Sequence, residues 1–162
     1  MSLSHSRPGA APRARAALSN PAGRFERHEV VAEDDGWDMA EDVAPLRTEV
    51  AEERPRSAIT RNSSPDIGFD RSINPYRGCE HGCIYCFARP SHAWLGLSPG
   101  LDFETQLIAR PGIERVLEAE LRKPRYQPAP IAIGTNTDPY QPIELERRIM
   151  RRVLEALQAF RH

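Results

Sequence analysis

A group of three cysteines within eight residues limits most strongly which structures this chain can form. Cys79, Cys83 and Cys86 form the pattern C-x₃-C-x₂-C, and the sequence contains no other cysteine. An odd, tightly spaced set does not provide a disulfide framework. Thiolates at this spacing on a loop can wrap one metal centre, and Gly78 and Gly82 allow the sharp turns that such a loop needs. The segment therefore predicts a metal centre, and the free cysteines predict a reducing, cytoplasmic compartment.

Two kinds of centre can be built from three cysteines. Tetrahedral zinc takes four ligands, so His81 or His92 would have to complete a Cys₃His site, and His81 lies awkwardly inside the loop. An iron–sulfur cluster normally takes four thiolates, so a four-iron cluster held by three would keep one iron open to a small-molecule ligand. An open coordination position is typical of a catalytic centre. Tyr85, directly before the last cysteine, is placed to pack over such a ligand.

Composition and charge patterning argue against a nucleic-acid binder and a membrane protein. The chain has 22 basic and 23 acidic residues among 162, a net charge of −1, which gives no electrostatic case for a dedicated nucleic-acid or membrane-surface binder. No apolar run approaches the roughly 20 residues of a membrane span, so no membrane partner is expected. Residues 7–24 are basic and residues 26–53 are mainly acidic, without a sustained hydrophobic period. Residues 1–57 are therefore predicted to be a disordered, charged arm.

After the arm, predicted strands alternate with predicted helices. Strands are expected at residues 72–76, 103–109 and 131–134, and helices begin at Pro111 and Pro142. The apolar stripe of the first helix consists of Ile113, Val116, Leu117 and Leu121. The stripe of the second helix consists of Leu145, Ile149, Val153, Leu157 and Phe160. This order predicts an α/β fold with a parallel sheet.

The patterned region is short for such a fold. Residues 72–162 leave room for about two strand–helix units, since one βαβ unit takes about 30 residues or more. Two units cannot cover both faces of a parallel sheet. Residues 58–162 are therefore interpreted as an incomplete core domain, the N-terminal part of something larger, and the chain expressed alone is expected to aggregate readily.

The cysteine segment and two later segments resemble a known superfamily. C-x₃-C-x-aromatic-C after a strand resembles the signature of the radical S-adenosylmethionine (radical SAM) superfamily. Asn-Pro-Tyr-Arg-Gly-Cys-Glu-His-Gly-Cys at residues 74–83, Leu-Asp-Phe-Glu-Thr at residues 101–105 and Gly-Thr-Asn-Thr-Asp-Pro-Tyr-Gln-Pro at residues 134–142 resemble the group related to spore photoproduct lyase. The resemblance extends from about residue 20 to the end of the chain, although the N-terminal arm supports it weakly.

This resemblance implies a fold and a metal centre. The fold would be the N-terminal part of a (β/α)₆ partial TIM barrel, whose site lies at the C-terminal ends of the strands. Cys79, Cys83 and Cys86 would hold a [4Fe–4S] cluster. The fourth iron would bind the amino and carboxylate groups of S-adenosylmethionine.

The resemblance also implies a cofactor-binding loop after the second strand of the barrel, at the position where family members hold the methionine part of the cofactor. The residues of this loop are Thr135, Asn136, Thr137 and Asp138. Hydroxyl, amide and carboxylate groups can hydrogen-bond an ammonium and a carboxylate. The alternative for Asp138 is a turn in which its side chain accepts a hydrogen bond from its own backbone.

The implied activity is that of a radical SAM enzyme. A reduced carrier of the flavodoxin or ferredoxin type would deliver an electron, S-adenosylmethionine would be cleaved to a 5′-deoxyadenosyl radical, and the radical would abstract hydrogen from a substrate that the sequence does not identify. One alternative is a DNA-repair lyase of the spore photoproduct lyase type, for which the basic tail could touch phosphates although the acidic block argues against strong binding. The other is a non-catalytic zinc-binding module.

Overall fold

The computed structural model describes residues 16–17, 19–26 and 47–162. The strands are β1 (Glu49–Glu52), β2 (Ile59–Arg61), β3 (Arg71–Ile73), β4 (Tyr76–Arg77), β5 (Gln106–Ala109) and β6 (Ala132–Ile133). The α-helices are α1 (Leu101–Thr105), α2 (Ile113–Leu121), α3 (Glu144–Arg147) and α4 (Ile149–Ala159). A 3₁₀ helix at Arg89–Leu95 follows the cysteines. The part of the chain that the structure describes is therefore a mixed α/β assembly, as the sequence predicts.

The strands form two small sheets, each with three strands. In one sheet β5 pairs with β1 in parallel and with β4 antiparallel. In the other sheet β3 pairs antiparallel with β2 and in parallel with β6, so that Ser72 lies opposite Ala132 and Ile73 opposite Ile133. The parallel pairing of β3 and β6, joined by a crossover that contains α2, is the arrangement predicted for residues 72–76 and 131–134. The predicted parallel pairing is accompanied by antiparallel pairing, because β2 and β4 run antiparallel to their neighbours.

The main core lies between the strands and the packed pair α2 and α4. Six of its buried helix residues recur every four positions, which places them on one face of each helix. They are Ile113, Leu117 and Leu121 in α2 and Ile149, Val153 and Leu157 in α4. Burying each of these side chains contributes about 1.5–3 kcal/mol. The apolar stripes predicted for both helices are thus confirmed at these six positions.

The strand predicted at residues 103–109 is half helix. Residues 101–105 form α1, and only Gln106–Ala109 belong to β5. Side-chain hydrogen bonds stabilise the helical turn: Asp102 accepts from the Ser98 N–H at 2.8 Å, and the Thr105 hydroxyl donates to the Leu101 carbonyl at 2.8 Å. Because of these local bonds, residues 101–105 are helical although the alternating apolar pattern of residues 103–109 predicts a strand.

The helix predicted from Pro142 onward is interrupted at Arg148. Arg148 adopts a left-handed conformation with φ 51° and separates α3 from α4. The cause is the buried Glu144 carboxylate, which accepts hydrogen bonds from the N–H groups of Met150 and Arg151, each at 3.0 Å. It thereby caps the start of α4. Leu145, predicted to be part of the apolar stripe, is 86% exposed because it lies before this break.

The predicted disordered arm is ordered in two described stretches. Strand β1 lies within residues 1–57 and pairs with the full length of β5. Residues 19–21 also pack on the core, where Ser19 accepts a hydrogen bond from the Leu101 N–H at 3.2 Å and Asn20 exchanges hydrogen bonds with Asp102. Long-range backbone pairing of this kind leaves no periodic signal in a charged segment. Residues 1–15, 18 and 27–46 of the predicted arm lie outside the described residues.

No helix among the described residues combines the length and the apolar character that crossing a bilayer requires.

The Glu144 cap gives a stability prediction. The Tyr76 hydroxyl, which is buried, also donates to Glu144. Glu144→Ala removes a helix cap worth about 1 kcal/mol and leaves a buried hydroxyl without its partner, at about 1–3 kcal/mol. We expect the free energy of unfolding to fall by about 2–4 kcal/mol, measured by denaturant titration. The exposed Glu146→Ala variant is the matched control and should change it by less than about 0.5 kcal/mol. Equal stability of the two variants would contradict the capping role.

Candidate functional site

The three cysteines line one open cleft of about 640 Å³ together with the loop that follows β6. Because β3 and β6 are parallel neighbours, the chain segments that leave their C-terminal ends meet at the same edge of the sheet. One wall consists of Cys79, His81, Cys83, Cys86, Phe87 and Ala88. The other wall consists of Gly134, Thr135, Thr137, Asp138 and Pro139. The cleft therefore joins the two segments to which the sequence assigns a metal and a cofactor.

The cysteine loop is shaped by two glycines and two tight turns. Gly78 and Gly82 adopt positive φ angles of 76° and 59°, which other residues rarely tolerate. At Gly78 the space is closed as well, because a Cβ atom would lie 2.8 Å from the Leu107 side chain. Backbone bonds from Gly82 to Cys79 and from Cys86 to Cys83 close the turns at 3.3 and 3.2 Å. The prediction that both glycines allow sharp backbone turns in this loop is confirmed.

The cysteines have unequal surroundings. All three are free thiols; Cys79 is 7% exposed, whereas Cys83 and Cys86 are only half-buried. Burial raises the pKa of the Cys79 thiol above its usual range, so Cys79 stays protonated unless a cation stabilises its thiolate. Among the described residues, no three His, Cys, Asp or Glu side chains are close enough together to hold a metal ion. The cysteines share a cleft, but their sulfur atoms are not gathered around one point.

Arg89, for which the sequence shows no functional pattern, bonds to the second half of the cysteine loop. Its Nε donates to the Cys83 carbonyl at 3.2 Å, and its Nη1 donates to the Gly100 carbonyl at 3.2 Å. Its Nη2 is paired with Glu104, which is fully buried. The guanidinium also lies 5.3 Å from the centre of the Phe103 ring. Through these partners Arg89 connects the Cys83 carbonyl to α1, whereas the Cys83 and Cys86 side chains remain half-buried.

Tyr85, predicted to pack over a ligand, is not one of the residues that line the cleft. It is 86% exposed. Cys83 and Cys86 close a turn, so the two residues between them, Ile84 and Tyr85, form its tip and project into solvent. The aromatic side chain that does line the cleft is that of Phe87, one residue after the last cysteine.

The loop after β6 is held by Asn74, a buried residue that follows β3. The Asn74 amide donates to the Thr135 hydroxyl at 3.0 Å and accepts a hydrogen bond from the Asn136 N–H at 2.9 Å. Thr135 lines the cleft, but the exposed Asn136 side chain does not. Thr137 is buried, and its hydroxyl donates to the Gly78 carbonyl at 2.6 Å. Of the predicted cofactor residues in this loop, Thr135, Thr137 and Asp138 therefore reach the cleft.

Asp138 has both of its oxygens engaged. One oxygen accepts a hydrogen bond from the Tyr140 N–H at 2.8 Å. This confirms the alternative prediction for Asp138, a turn in which its side chain bonds to the local backbone. The other oxygen lies 3.4 Å from His81 Nε2. Because both side chains are partly exposed, an ion pair between them is weak and is easily exchanged for a ligand.

The two histidines considered as zinc ligands occupy different environments. His81 lines the cleft with the cysteines. His92 is fully buried, its Nε2 lies 2.9 Å from the Gln106 carbonyl oxygen, and burial lowers its pKa. His92 does not line the cleft, so His81 alone of the two is placed beside the thiols.

Gln141 is the main residue that the sequence analysis missed. It is fully buried and hydrogen-bonded to the cysteine loop, although its position in a polar, proline-containing segment suggests an ordinary surface turn. No periodicity or motif spacing could have shown this burial, because the partners are about 60 residues earlier in the chain.

Comparison with known proteins identifies relatives but no family. No protein-family model matches the chain, and no solved structure matches it significantly. Uncharacterized proteins from two strains of Mycobacterium tuberculosis and from Mycobacterium bovis are each 46% identical to the chain over 93 residues. The matched region covers 57% of this chain and 27% of the length of each mycobacterial protein.

Proposed function

We propose that this chain is part of a radical SAM enzyme, with Cys79, Cys83 and Cys86 as the ligands of a [4Fe–4S] cluster. The observation that carries the proposal is the cleft itself, which all three cysteines line together with the loop after β6. The donor set fits, because soft thiolates are the usual ligands of iron–sulfur clusters. The short, glycine-containing loop would close around the cluster to gather the three sulfurs. On this proposal β3 and β6 are the first two strands of a partial TIM barrel.

When bound, the cluster would supply one electron for the cleavage of S-adenosylmethionine to a 5′-deoxyadenosyl radical, which abstracts hydrogen from a substrate. The residues of this chain bind and orient the cofactor. Thr135 and Asp138 lie on the wall opposite the cysteines and can accept hydrogen bonds from an ammonium group. On the cysteine side, Cys79 is the ligand most shielded from water, and the exposed Phe87 side chain adds an apolar surface to that wall.

The proposal includes a partner and a compartment. A reduced protein of the flavodoxin or ferredoxin type would deliver the electron. Three unpaired thiols in one cleft are maintained most readily in a reducing cytoplasm. The class of substrate is left open. The basic segment that suggested DNA falls mostly outside the described residues, so nothing in the described part of the chain favours a DNA-repair lyase.

A structural zinc site is the second candidate, and one observation favours it. His81 lines the same cleft as the three cysteines, so the donor set Cys₃His is present. Zinc would use all four ligands and keep no open position, so it would give a binding module without redox chemistry.

Metal reconstitution separates the two candidates. Anaerobic treatment with iron and sulfide is expected to give a brown protein with about four iron atoms per chain. Replacing Cys79, Cys83 or Cys86 by Ala should each abolish assembly, because three thiolates are the minimum set. His81→Ala should retain its iron under the cluster proposal and should lose bound zinc under the alternative. A cysteine variant with a full complement of iron, measured by elemental analysis, would refute the cluster assignment.

Cofactor binding tests the chemistry directly. Adding S-adenosylmethionine to the reduced cluster should change its electron paramagnetic resonance spectrum, and dithionite should then generate 5′-deoxyadenosine slowly without substrate. Asp138→Ala should weaken S-adenosylmethionine binding by about 10-fold or more, because a hydrogen bond to a charged group contributes about 1.5–3 kcal/mol. Iron content should not change, since Asp138 is not a proposed ligand.

Asn136→Ala provides the matched control for this experiment. The Asn136 side chain is exposed and does not line the cleft, so the effect on cofactor binding should be much smaller than that of Asp138→Ala. A protein with an intact cluster that neither changed its spectrum nor formed 5′-deoxyadenosine would show that the radical mechanism is wrong.

A further inference from the structure

The side chain of Gln141 bonds to both peptide groups that flank Cys79. Its Oε1 accepts a hydrogen bond from the Glu80 N–H at 3.0 Å, and its Nε2 donates to the Gly78 carbonyl at 3.3 Å. The Gly78 carbonyl belongs to the peptide unit before Cys79, and the Glu80 N–H belongs to the unit after it. Gln141 is fully buried, so water does not compete for these bonds.

Thr137 strengthens the same contact. Its hydroxyl donates to the Gly78 carbonyl at 2.6 Å and accepts a hydrogen bond from Gln141 Nε2 at 3.0 Å. The hydroxyl proton of Thr137 is therefore directed at the cysteine loop, although the side chain lines the cleft. The neutral amide of Gln141 is suited to this geometry because it offers an acceptor and donors at one end of the side chain, whereas a carboxylate offers acceptors only.

The third polar backbone group around Cys79 is bonded as well. The Cys79 N–H donates to the Phe103 carbonyl at 2.9 Å. Cys79 is thus fixed from two sides, by the chain before β5 and by the loop after β6. Cys83 and Cys86 lie in the half-buried part of the loop. Their carbonyls accept hydrogen bonds from Arg89, from its Nε at 3.2 Å and from its backbone N–H at 3.5 Å.

We propose that Gln141 and Thr137 are positioning residues that anchor Cys79, so that the loop carrying Thr135 and Asp138 also sets the place of the first cluster thiolate. The inference rests on the proposed function for the meaning of Cys79, but the anchoring itself is a property of the protein without metal. Cys79 is then the preformed ligand, and Cys83 and Cys86 are the ligands that move when a cluster assembles.

The rate of thiol alkylation in the metal-free protein tests the anchoring. N-ethylmaleimide labelling, resolved by mass spectrometry of the cysteine peptides, should modify Cys79 more slowly than Cys83 and Cys86. Gln141→Leu removes the two hydrogen bonds to the peptide groups that flank Cys79 and should accelerate Cys79 labelling by about 30-fold, since two bonds of about 1 kcal/mol each amount to about 2 kcal/mol. Labelling of Cys83 and Cys86 should change by less than about twofold. Gln141→Glu replaces the Nε2 donor by an acceptor and adds a negative charge. Its matched control is Gln158→Glu, which adds the same charge at an exposed glutamine in α4.

If Gln141→Leu does not fold, a second pair of variants at Thr137 tests the same anchoring. Thr137→Val removes one hydroxyl at nearly constant volume and should accelerate Cys79 labelling, whereas Thr137→Ser keeps the hydroxyl and should restore the parental rate. Equal rates for Thr137→Val and Thr137→Ser, or equal acceleration of all three cysteines in every variant, would overturn the inference.

Iron content distinguishes this inference from the proposed function. If the Gln141 and Thr137 variants expose Cys79 selectively but the parent protein binds no iron on reconstitution, the anchoring is supported and the cluster assignment is refuted. A parent that binds about four iron atoms, with Cys79 labelling unaffected by Gln141 and Thr137 variants, would support the cluster and refute the anchoring. If the cluster assignment and the anchoring of Cys79 are both correct, Gln141→Glu should retain its iron and alter the electron paramagnetic resonance spectrum of the reduced cluster.

Discussion

The parallel pairing of β3 with β6 is the interaction on which the candidate site depends. It brings two segments about 60 residues apart to the same sheet edge, where the cysteine loop and the loop after β6 form the two walls of the cleft. The strands themselves are very short, so backbone pairing alone would hold this edge weakly. Buried side-chain amides at Asn74 and Gln141 add hydrogen bonds between the segments and continue the pairing past the strand ends.

Within the cysteine loop, Cys79 is the cysteine that is most buried and the one that is bonded to the loop after β6. Cys79 has backbone bonds on both sides, whereas the turn at Ile84 and Tyr85 projects into solvent. On the proposed function, this division would suit a site that assembles around a metal, with Cys79 held in place first and Cys83 and Cys86 closing over the metal. It also explains how three thiols can share a cleft while no metal-holding group is preformed among the described residues.

Buried charged groups play a comparable structural part away from the cysteines. Glu144 caps α4 and accepts a hydrogen bond from Tyr76, while Glu104 pairs with Arg89 and accepts backbone N–H groups from Ala16 and Ala17. Each carboxylate has several partners, which is the condition under which a buried charge is tolerated. Through Glu104, the N-terminal segment and the cysteine loop are tied to the same helix.

Features that depend on local pattern could be predicted from the sequence: the apolar faces of α2 and α4, the strands on either side of α2, and the cysteine segment with its two glycines. Those features need only periodicity, turn chemistry or motif spacing. Tertiary structure alone decided the pairing of β1, the break at Arg148 and the burial of Gln141. Each of these depends on a partner more than 50 residues away or on a competing side-chain hydrogen bond, such as that of Glu144. A charged strand, a polar loop residue and a continuous helical stripe look ordinary until those partners are in place.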